Sequence, residues 1–599
     1  MAETVAALVA AHRAGTLKPE DTVARTYERI RRHDDPAIFI HLRAEAEAIA
    51  EAGALAARDA ASLPLFGIPV AVKDNIDVGG MPTTSACDAF RYRPTEDATA
   101  VARLRAAGAI VIGKTNLDQF ATGLVGVRSP YGVPRNAVRP DLIPGGSSSG
   151  SAVAVASGIV PIALGTDTAG SGRVPAGLNN IVGLKPSLGL VSTAGLVPAC
   201  RTLDCISVFS LTTDDAWTTL KAIAGPDPAD PFSRNRPVGD LSEMPAGLHI
   251  GVPVKGQRIF FGDRASETAY EAAVARFASL GAKITDVDIE ALYETARLLY
   301  DGPWVAERYL AIRELLASSP EALHPVTKEI IVPGGRLTAT DTFAALYKLE
   351  ELRRICEIIF RGVDALLLPT APTAYTVTQV LADPIQLNSR LGTYTNFVNL
   401  LDLCGLALPA SMRDDGIPFG ITLLAPGGQD ALLASIGRVF HASTGLPMGA
   451  LGIPQPELPP LPSSGPLDEI SVAVVGAHLS GMPLNSELKA LNAKFVETAM
   501  TAPDYRLYAL KGGGVPKPGL LRVAPDTGAC IEVEIWKLPV AGFGRFVATV
   551  PSPMSIGTLK LSDGRTVKGF LVEPEALAHA RDISMFGGWR AFNSAKADA

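Results

Sequence analysis

Two neighbouring segments, PGGSSSGSAVAVASG (144–158) and LGTDTAGSGRVPA (164–176), decide the fold of this chain. Both are rich in glycine and serine, and the first contains the helix-like run SAVAVASG. The apolar stretch from 151 to 164 is interrupted by polar residues and a proline, and it is shorter than the roughly 20 apolar residues that cross a bilayer. We therefore interpret it as a buried core segment between two loops of small residues.

Short apolar runs alternate with helical patterns in the sequence around these segments. GIPVAVKDNI (67–76) has the pattern of a buried strand that runs into a polar turn, and residues 98–114 predict a helix followed by a strand. DALLLPTAP (364–372) and GITLLAP (420–426) predict two later strands. This alternation is typical of α/β proteins, in which helices cover a central sheet.

Two long parts of the chain are predicted to be mainly helical. Residues 2–60 are alanine-rich and have the pattern of amphipathic helices, without the basic start of a signal peptide. Residues 266–361 are also mostly helical in pattern, and they contain an aromatic segment, LLYDGPWVAERYL (298–310). Gly302 and Pro303 interrupt this segment, so the helix is expected to break there.

The clearest boundary in the chain is IPQPELPPLPSSGP (453–466), which holds six prolines in fourteen residues. Such a segment cannot build regular structure and makes a stiff, extended linker. The sequence after it has strand signals of its own, in EISVAVVGAH, RLYAL, GACIEVEIWKL and GRTVKGFLV. We predict a large α/β domain at 1–450, a proline-rich linker at 451–468 and a smaller α+β domain at 469–599.

Composition excludes several classes of function. The chain has 599 residues, a formal charge of −7 and 47% hydrophobic residues, as expected for a globular protein of two or more domains. This charge gives no basic footprint for nucleic acid. The six cysteines are scattered and form neither a disulfide framework nor a zinc pattern. We expect a cytoplasmic protein with no membrane segment, metal or organic cofactor.

The candidate chemistry lies in three segments, which contain Lys73, Ser147 and Ser171. A serine hydroxyl is a poor nucleophile until a base removes its proton. Histidine is the usual base, but the eight histidines of the chain lie outside these segments. A buried lysine can act instead, because burial lowers its pKa and leaves the amine neutral. Taken singly, each segment is more simply explained as a solvated lysine or a flexible loop.

Together, in this order and with these internal patterns, the three segments resemble the amidase signature family over roughly residues 1–445. The resemblance implies a mixed central β-sheet covered by helices, and it gives each residue a role. Ser171 would be the nucleophile, Ser147 the bridging serine with a cis peptide bond to its neighbour, and Lys73 the general base. The spacing of 24 positions between the two serines agrees with the family.

The resemblance also places the oxyanion donors in the loop that leads to the nucleophile. It assigns them to the backbone N–H groups of Thr168, Ala169, Gly170 and Ser171, which must be preorganised to stabilise developing negative charge. Other polar residues nearby are interpreted as structural: an ion pair between Asp167 and Arg173, the hydroxyls of Ser148 and Ser149, and the family positions of Asp204 and Lys185.

Two departures from the family pattern bear on the substrate. The signature usually reads DTGGS followed by an apolar residue and arginine, whereas this chain reads DTAGSGR, with Ala169 and Gly172. The difference argues against the glutaminyl-tRNA amidotransferase branch, and DTAGSGRVPAGLNNIVGLKPS (167–187) resembles the allophanate hydrolase branch. Allophanate is a small urea carboxylate, and a planar arginine fork is well suited to neutralising a carboxylate.

The segment LLYDGPWVAERY, also typical of that branch, offers Arg308 and Tyr300 as substrate-binding residues. If it were one helix, the eight positions between them would place the two side chains about 80° apart around its axis. The alternative is that Arg308 pairs with a surface carboxylate while Tyr300 lies in the core. Gly123, in NLDQFATG, is a third candidate, through its backbone carbonyl.

The second domain resembles the γ-glutamyl cyclotransferase-like domain that allophanate hydrolases of this type carry. VAVVGAHLSGMPLN (472–485) matches the opening strand and loop of that domain. The resemblance implies decarboxylation of the first product, N-carboxycarbamate, with His478 as the catalytic candidate and Glu534 as a looser match to the acidic residue of cyclotransferases. The alternative is an ordinary hydrogen-bonded histidine in a domain with a structural or assembly role.

The resemblance thus implies that a homodimer hydrolyses allophanate to ammonia and carbon dioxide, the step after a biotin-dependent urea carboxylase. Two other functions stay open at this point. One is a broad amidase for small aliphatic or aryl amides, and the other is a non-catalytic scaffold that binds a partner such as the carboxylase. The presence of all three triad residues argues against the scaffold.

Overall fold

A computed structural model describes residues 4–459, 461, 469–491, 493–510 and 515–597 of the chain. They fold as two compact units, Met1–Ser463 and Ser464–Ala599. The division falls within the expected linker 451–468, where residues 454–459 form neither helix nor strand. Residues 460 and 462–468 of this linker lie outside the described residues.

The first unit is built on a mixed sheet of eleven strands, in the order β1-β3-β2-β4-β6-β5-β10-β11-β9-β7-β8. The strands are β1 (Phe39–Leu42), β2 (Pro69–Lys73), β3 (Ile110–Thr115), β4 (Ile162–Asp167), β5 (Val182–Lys185), β6 (Cys205–Ser210), β7 (His249–Pro253), β8 (Lys283–Val287), β9 (Ala365–Pro369), β10 (Leu403–Met412) and β11 (Pro418–Pro426). Strand β2 pairs in parallel with β3 and β4, whereas β4 and β6 are antiparallel. These four strands are buried along their whole length, as expected for strands covered on both faces.

Helices surround this sheet. They are α1 (Val5–Arg13), α2 (Pro19–His33), α3 (Glu45–Ala54), α4 (Thr99–Ala106), α5 (Ser149–Ala156), α6 (Val174–Leu178), α7 (Thr213–Ile223), α8 (Arg264–Ser279), α9 (Glu290–Asp301), α10 (Trp304–Ser318), α11 (Pro325–Ile331), α12 (Ala339–Ile359), α13 (Val377–Ala382), α14 (Gln386–Leu391) and α15 (Asp430–Ser443). Helix α5 is buried on all sides and packs against β2 and β4. Its small serine, glycine and alanine side chains permit this close approach.

The mixed α/β architecture expected from the sequence is confirmed, with one local difference. Residues 2–60 are not entirely helical, because β1 lies between α2 and α3 and pairs with β3 at the sheet edge. The short run that forms β1 lies between two helical patterns, and only its pairing with β3 makes it extended. Among the described residues, no helix combines the length and apolar composition needed to span a membrane.

The second unit contains two smaller sheets, ordered β13-β16-β12-β18-β17 and β15-β14-β19. Its strands are β12 (Glu469–Val474), β13 (Lys494–Met500), β14 (Tyr505–Ala509), β15 (Pro518–Arg522), β16 (Glu532–Pro539), β17 (Met554–Lys560), β18 (Thr566–Val572) and β19 (Arg581–Asp582). Its helices are α16 (Asn485–Ala490), α17 (Val540–Ala548) and α18 (Trp589–Ala597). All four strand signals in this part of the sequence correspond to strands, in agreement with the α+β expectation.

Candidate active site

Lys73 is the last residue of β2 and is completely buried. Its Nζ donates hydrogen bonds to Ser147 Oγ and Thr166 Oγ1, each over 2.7 Å. No carboxylate within the described part of the chain forms an ion pair with it. Burial outweighs the more distant acidic groups and lowers the pKa of Lys73 to about 7. Near neutral pH, this amine can therefore accept a proton.

Ser147 lies in the loop that leads into α5, and the Gly146–Ser147 peptide bond is cis. The backbone carbonyl of Ser147 accepts a hydrogen bond from the Asp118 N–H over 3.1 Å. The loop therefore fixes the Ser147 hydroxyl against Lys73, from a segment 74 positions away in the sequence. This places the predicted bridging serine next to the predicted base.

Ser171 lies in the buried loop between β4 and α6, which the carboxylate of Asp167 organises. Asp167 Oδ2 and Oδ1 accept from Arg173 Nε and Nη2 over 2.9 and 3.0 Å. Burial would raise the pKa of Asp167, but the charge and hydrogen bonds of Arg173 hold it below its ordinary value. The structural ion pair expected here is confirmed. Ser171 Oγ makes no hydrogen bond to any described residue.

One of the four expected oxyanion donors has an acceptor within its own loop. The Gly170 N–H donates to Asp167 Oδ1 over 2.9 Å, so it is already engaged within the loop. The N–H groups of Thr168, Ala169 and Ser171 donate to no atom of the described residues. Thr168 contributes its hydroxyl to a hydrogen bond with the buried Asp204. The conformation of the loop determines which backbone N–H groups lack an acceptor, and a resemblance in sequence does not specify that conformation.

The unusual Gly172 has a steric cause. A Cβ atom at this position would lie 2.6 Å from the side chain of Ser207 on β6. The apolar side chain that the family pattern places here would overlap that strand. The Gly172 N–H also donates to Asp167 Oδ2 over 2.9 Å, which ties the loop on both sides of Ser171.

Arg308 and Tyr300 come together because the helix breaks between them. Tyr300 is near the end of α9 and Arg308 is in α10, with Gly302 and Pro303 at the junction. The Arg308 guanidinium carbon lies 5.6 Å from the centre of the Tyr300 ring, a cation–π distance. Tyr300 also lines a cavity of about 430 Å³.

Arg308 is only 2% exposed, so it does not lie at the surface. Its Nη1 donates to Thr122 Oγ1 over 3.1 Å and to the Ala121 carbonyl over 3.4 Å, while its Nε is buried without a hydrogen bond. Over the ranges that the structure describes, no carboxylate forms an ion pair with it. The alternative of a surface ion pair for Arg308 is therefore wrong.

Three residues of this region were not found from the sequence. Thr166 accepts a hydrogen bond from Lys73, as Ser147 does. Asp118 binds the backbone of the loop at Ser147, and Arg128 is a further buried arginine. A usable signal for Arg128 was its position as a lone charge in the apolar run LVGVRSP. Gly123 lies beside it, since a Cβ on Gly123 would be 3.1 Å from Arg128 Nη1.

His478 follows β12 in the second unit and packs against two aromatic rings that also contact each other. The Phe570 ring stacks on it with centroids 5.4 Å apart, and the Phe546 ring meets it edge-on at 5.1 Å. His478 Nε2 lies 3.1 Å from Glu487 Oε2, and burial lowers the pKa of His478 below its ordinary value. These side chains, with Lys517, line a mainly apolar cavity of about 630 Å³.

Glu534, the other acidic candidate in this unit, is buried and fully engaged. It accepts from the N–H and hydroxyl of Ser480 over 2.8 and 2.9 Å, and from the Trp536 indole over 3.1 Å. Arg590 forms an ion pair with it. Glu534 therefore ties down the loop after His478, and it does not line the His478 cavity.

Comparison with known proteins identifies the family of the chain. The profile of the Amidase family matches residues 21–434. The chain belongs to the amidase family. Residues 470–594 match the Allophanate hydrolase C-terminal domain, so this amidase carries a second domain of a defined type.

Individual relatives share one or both parts of this amidase. The allophanate hydrolase of Kluyveromyces lactis is 40% identical, with a TM-score of 0.76 and 99% of both chains covered. The urea amidolyase of Saccharomyces cerevisiae is 45% identical over 549 residues, which are 89% of this chain and 30% of that protein. Our chain thus spans less than a third of the urea amidolyases it matches. A glutamyl-tRNA(Gln) amidotransferase polypeptide from Nitratidesulfovibrio vulgaris is 37% identical over 462 residues, which are 71% of this chain and 93% of that protein.

Proposed function

We propose that this amidase hydrolyses allophanate to ammonia and carbon dioxide, with Lys73, Ser147 and Ser171 as its catalytic triad. The observation that carries the proposal is the buried Lys73, with a pKa of about 7, hydrogen-bonded to Ser147 and to Thr166 on the strand that leads into the Ser171 loop. A lysine in that state is a competent general base for a serine nucleophile. The likeness to the K. lactis allophanate hydrolase over 99% of both chains supports the choice of substrate.

The chemistry starts with a proton relay. Neutral Lys73 accepts the Ser147 hydroxyl proton while Ser147 takes the proton of Ser171, whose Oγ attacks the ureido carbonyl of allophanate. The resulting oxyanion accepts hydrogen bonds from the N–H groups of Thr168, Ala169 and Ser171, which have no other acceptor in the described structure. The C–N bond then breaks, the relay returns the proton to the departing ammonia, and an acyl-enzyme remains. Water hydrolyses it to N-carboxycarbamate.

Substrate selection is proposed to depend on Arg308. Its buried guanidinium has no acidic partner in the described structure, and its Nη2 donates to no described atom, so a substrate carboxylate can supply the missing acceptor and charge. Tyr300 holds the guanidinium from one side. The Gly123 carbonyl is proposed to accept from the ureido nitrogen of the same substrate.

His478 is proposed to act on the first product in the second domain. N-carboxycarbamate loses carbon dioxide when its nitrogen is protonated, and His478 is held against two aromatic rings and lines a cavity that can admit the product. Glu487 orients the ring through the contact to Nε2. The alternative is that carbon dioxide loss is spontaneous and the domain serves assembly.

The wider setting is also a proposal. A biotin-dependent urea carboxylase would supply allophanate, in keeping with the partial match to proteins named urea amidolyase. We propose a reducing, cytoplasmic compartment, which the six free cysteines support. We also propose that the chain forms a homodimer.

The test is ammonia release from allophanate, malonamide and urea by the wild type and by Ser171→Ala. We expect release from allophanate by the wild type and its loss in the variant. Efficient cleavage of neutral amides with none of allophanate would favour the small-amide amidase. Undiminished ammonia release by Ser171→Ala would overturn the triad, and a wild type inactive on every amide would favour the scaffold.

A further inference from the structure

Arg128 is an arginine that the proposed chemistry does not use, and it is among the most buried side chains of the chain, at 1% exposure. Its Nη1 donates to the Thr122 carbonyl over 2.8 Å, and its Nη2 donates to the Pro384 carbonyl over 2.6 Å. Its Nε is buried and has no hydrogen-bond partner among the described residues. A guanidinium needs acceptors for five N–H groups, so this one is incompletely satisfied.

Arg128 and Arg308 hold the same residue from two sides. Arg128 Nη1 binds the Thr122 carbonyl, and Arg308 Nη1 binds the Thr122 hydroxyl over 3.1 Å. The next residue, Gly123, has a φ of +155°, and a Cβ there would lie 3.1 Å from Arg128 Nη1 and 2.6 Å from Asp118 Oδ2. The two arginines therefore determine where the backbone of this short loop lies.

Neither arginine has a direct acidic partner in the described structure. Asp118 is the nearest candidate for Arg128, but its carboxylate accepts backbone N–H groups from Val125, Gly126 and Arg128 itself. Burying a guanidinium without an ion pair is costly, and arginine cannot relieve the cost by losing its proton. Two such groups around one loop favour a ligand that brings negative charge.

We propose that Arg128 is a positioning and specificity-determining residue for substrates that carry a carboxylate. It fixes Thr122 and Gly123 against Arg308, and it adds a second positive charge, which Asp118 offsets only without a direct ion pair and which a substrate carboxylate offsets further. This role rests on the proposed function, in which Arg308 recognises the substrate carboxylate, and it adds Arg128 as a second arginine on which that recognition depends. A purely structural Arg128 would instead support all substrates equally.

The experiment compares malonamate, which carries a carboxylate, with its neutral analogue malonamide. The kcat and KM of each are measured for the wild type, Arg128→Gln and Arg128→Met. Glutamine keeps a donor for the Thr122 carbonyl and methionine does not, so the pair separates charge from hydrogen bonding. Arg438→Gln is the matched control, because this buried arginine has its own acidic partner, Asp214.

We expect both Arg128 variants to lower the malonamate-to-malonamide ratio of kcat/KM by about tenfold or more, mainly through the KM for malonamate. The control should keep the wild-type ratio. An equal loss on both substrates, or an unchanged ratio in a folded Arg128 variant, would overturn the inference. If one of the variants does not fold, the other decides.

Failure of the proposed function is distinguishable from failure of this inference. A wild type that cleaves malonamate but not allophanate would refute the allophanate assignment. The role of Arg128 would still be tested by the malonamate-to-malonamide ratio of kcat/KM. If the wild type cleaves neither malonyl amide, calorimetric binding of malonamate and malonamide to Ser171→Ala replaces turnover. Arg128→Gln in that background should then weaken malonamate binding alone, and the absence of such a selective loss would refute the inference.

Discussion

Replacing Thr166 by valine should move the pH profile of this amidase without removing its nucleophile. Thr166 Oγ1 accepts one of the two hydrogen bonds of Lys73 Nζ, over 2.7 Å. A hydrogen bond to a charged group contributes about 1.5–3 kcal/mol, and one pKa unit corresponds to about 1.4 kcal/mol. The neutral amine also donates to Thr166, so we expect the lower end of that range. The pKa of Lys73, about 7 in the wild type, should then fall by about one unit.

The sign follows from the role of Lys73 as a base. Only the neutral amine accepts a proton, so kcat/KM should rise with pH through the pKa of Lys73 and then level off. The wild type should lose about tenfold for each unit below pH 7, whereas Thr166→Val at pH 6 should be within about twofold of its own plateau. Malonamate suits the assay, because its carboxylate stays ionised above about pH 5.5.

Thr295→Val is the control for this shift, since the Thr295 hydroxyl is also buried but donates to a helix carbonyl within α9. Its profile should match the wild type. If the rise of kcat/KM with pH occurs at the same pH in folded Thr166→Val as in the wild type, that rise does not reflect the titration of Lys73. A wild-type profile that is flat between about pH 6 and pH 8 would remove Lys73 as the base.

Three further predictions concern the other charged groups. Arg308→Ala should raise the KM for malonamate by about tenfold or more and leave neutral malonamide nearly unchanged, which steady-state kinetics would test; equal effects on both would count against it. Asp167→Asn leaves the buried Arg173 without its acidic partner and should lower the free energy of unfolding by about 3–5 kcal/mol in denaturant titrations; an unchanged midpoint would contradict this. His478→Ala should slow the release of carbon dioxide and of the second ammonia, which follows decarboxylation, and leave release of the first ammonia intact; unchanged rates throughout would argue for a non-catalytic second domain.

Local patterns in the sequence were sufficient for the elements that carry the triad. GIPVAVKDNI forms β2 with Lys73 at its end, and SAVAVASG forms most of α5. These predictions succeed because apolar runs and small residues determine their own local conformation. The strand β1 was missed, because a four-residue run between two helices becomes a strand only through its pairing with β3.

Contacts between distant segments account for what could not be predicted at the site. Thr166 reaches Lys73 across 93 positions of sequence, so no local spacing indicates their hydrogen bond. Arg308 and Tyr300 meet through a helix break whose angle is not set by their eight-residue separation. The hydrogen bond of the Gly170 N–H could not be predicted for a similar reason, because it depends on how the side chain of Asp167 folds back onto the loop.

Burial has opposite consequences for the lysine and the arginines of this site. Lys73 is buried without an ion pair in the described structure, and its pKa falls far enough for the amine to become a base near neutral pH. Arg128 and Arg308 are buried in the same way, but a guanidinium keeps its proton at any physiological pH. The same dry interior thus turns a lysine into a proton acceptor and leaves the arginines as fixed positive charges. Exchanging the residue types should abolish both effects, since Lys73→Arg cannot accept a proton and a lysine at position 308 could lose its charge.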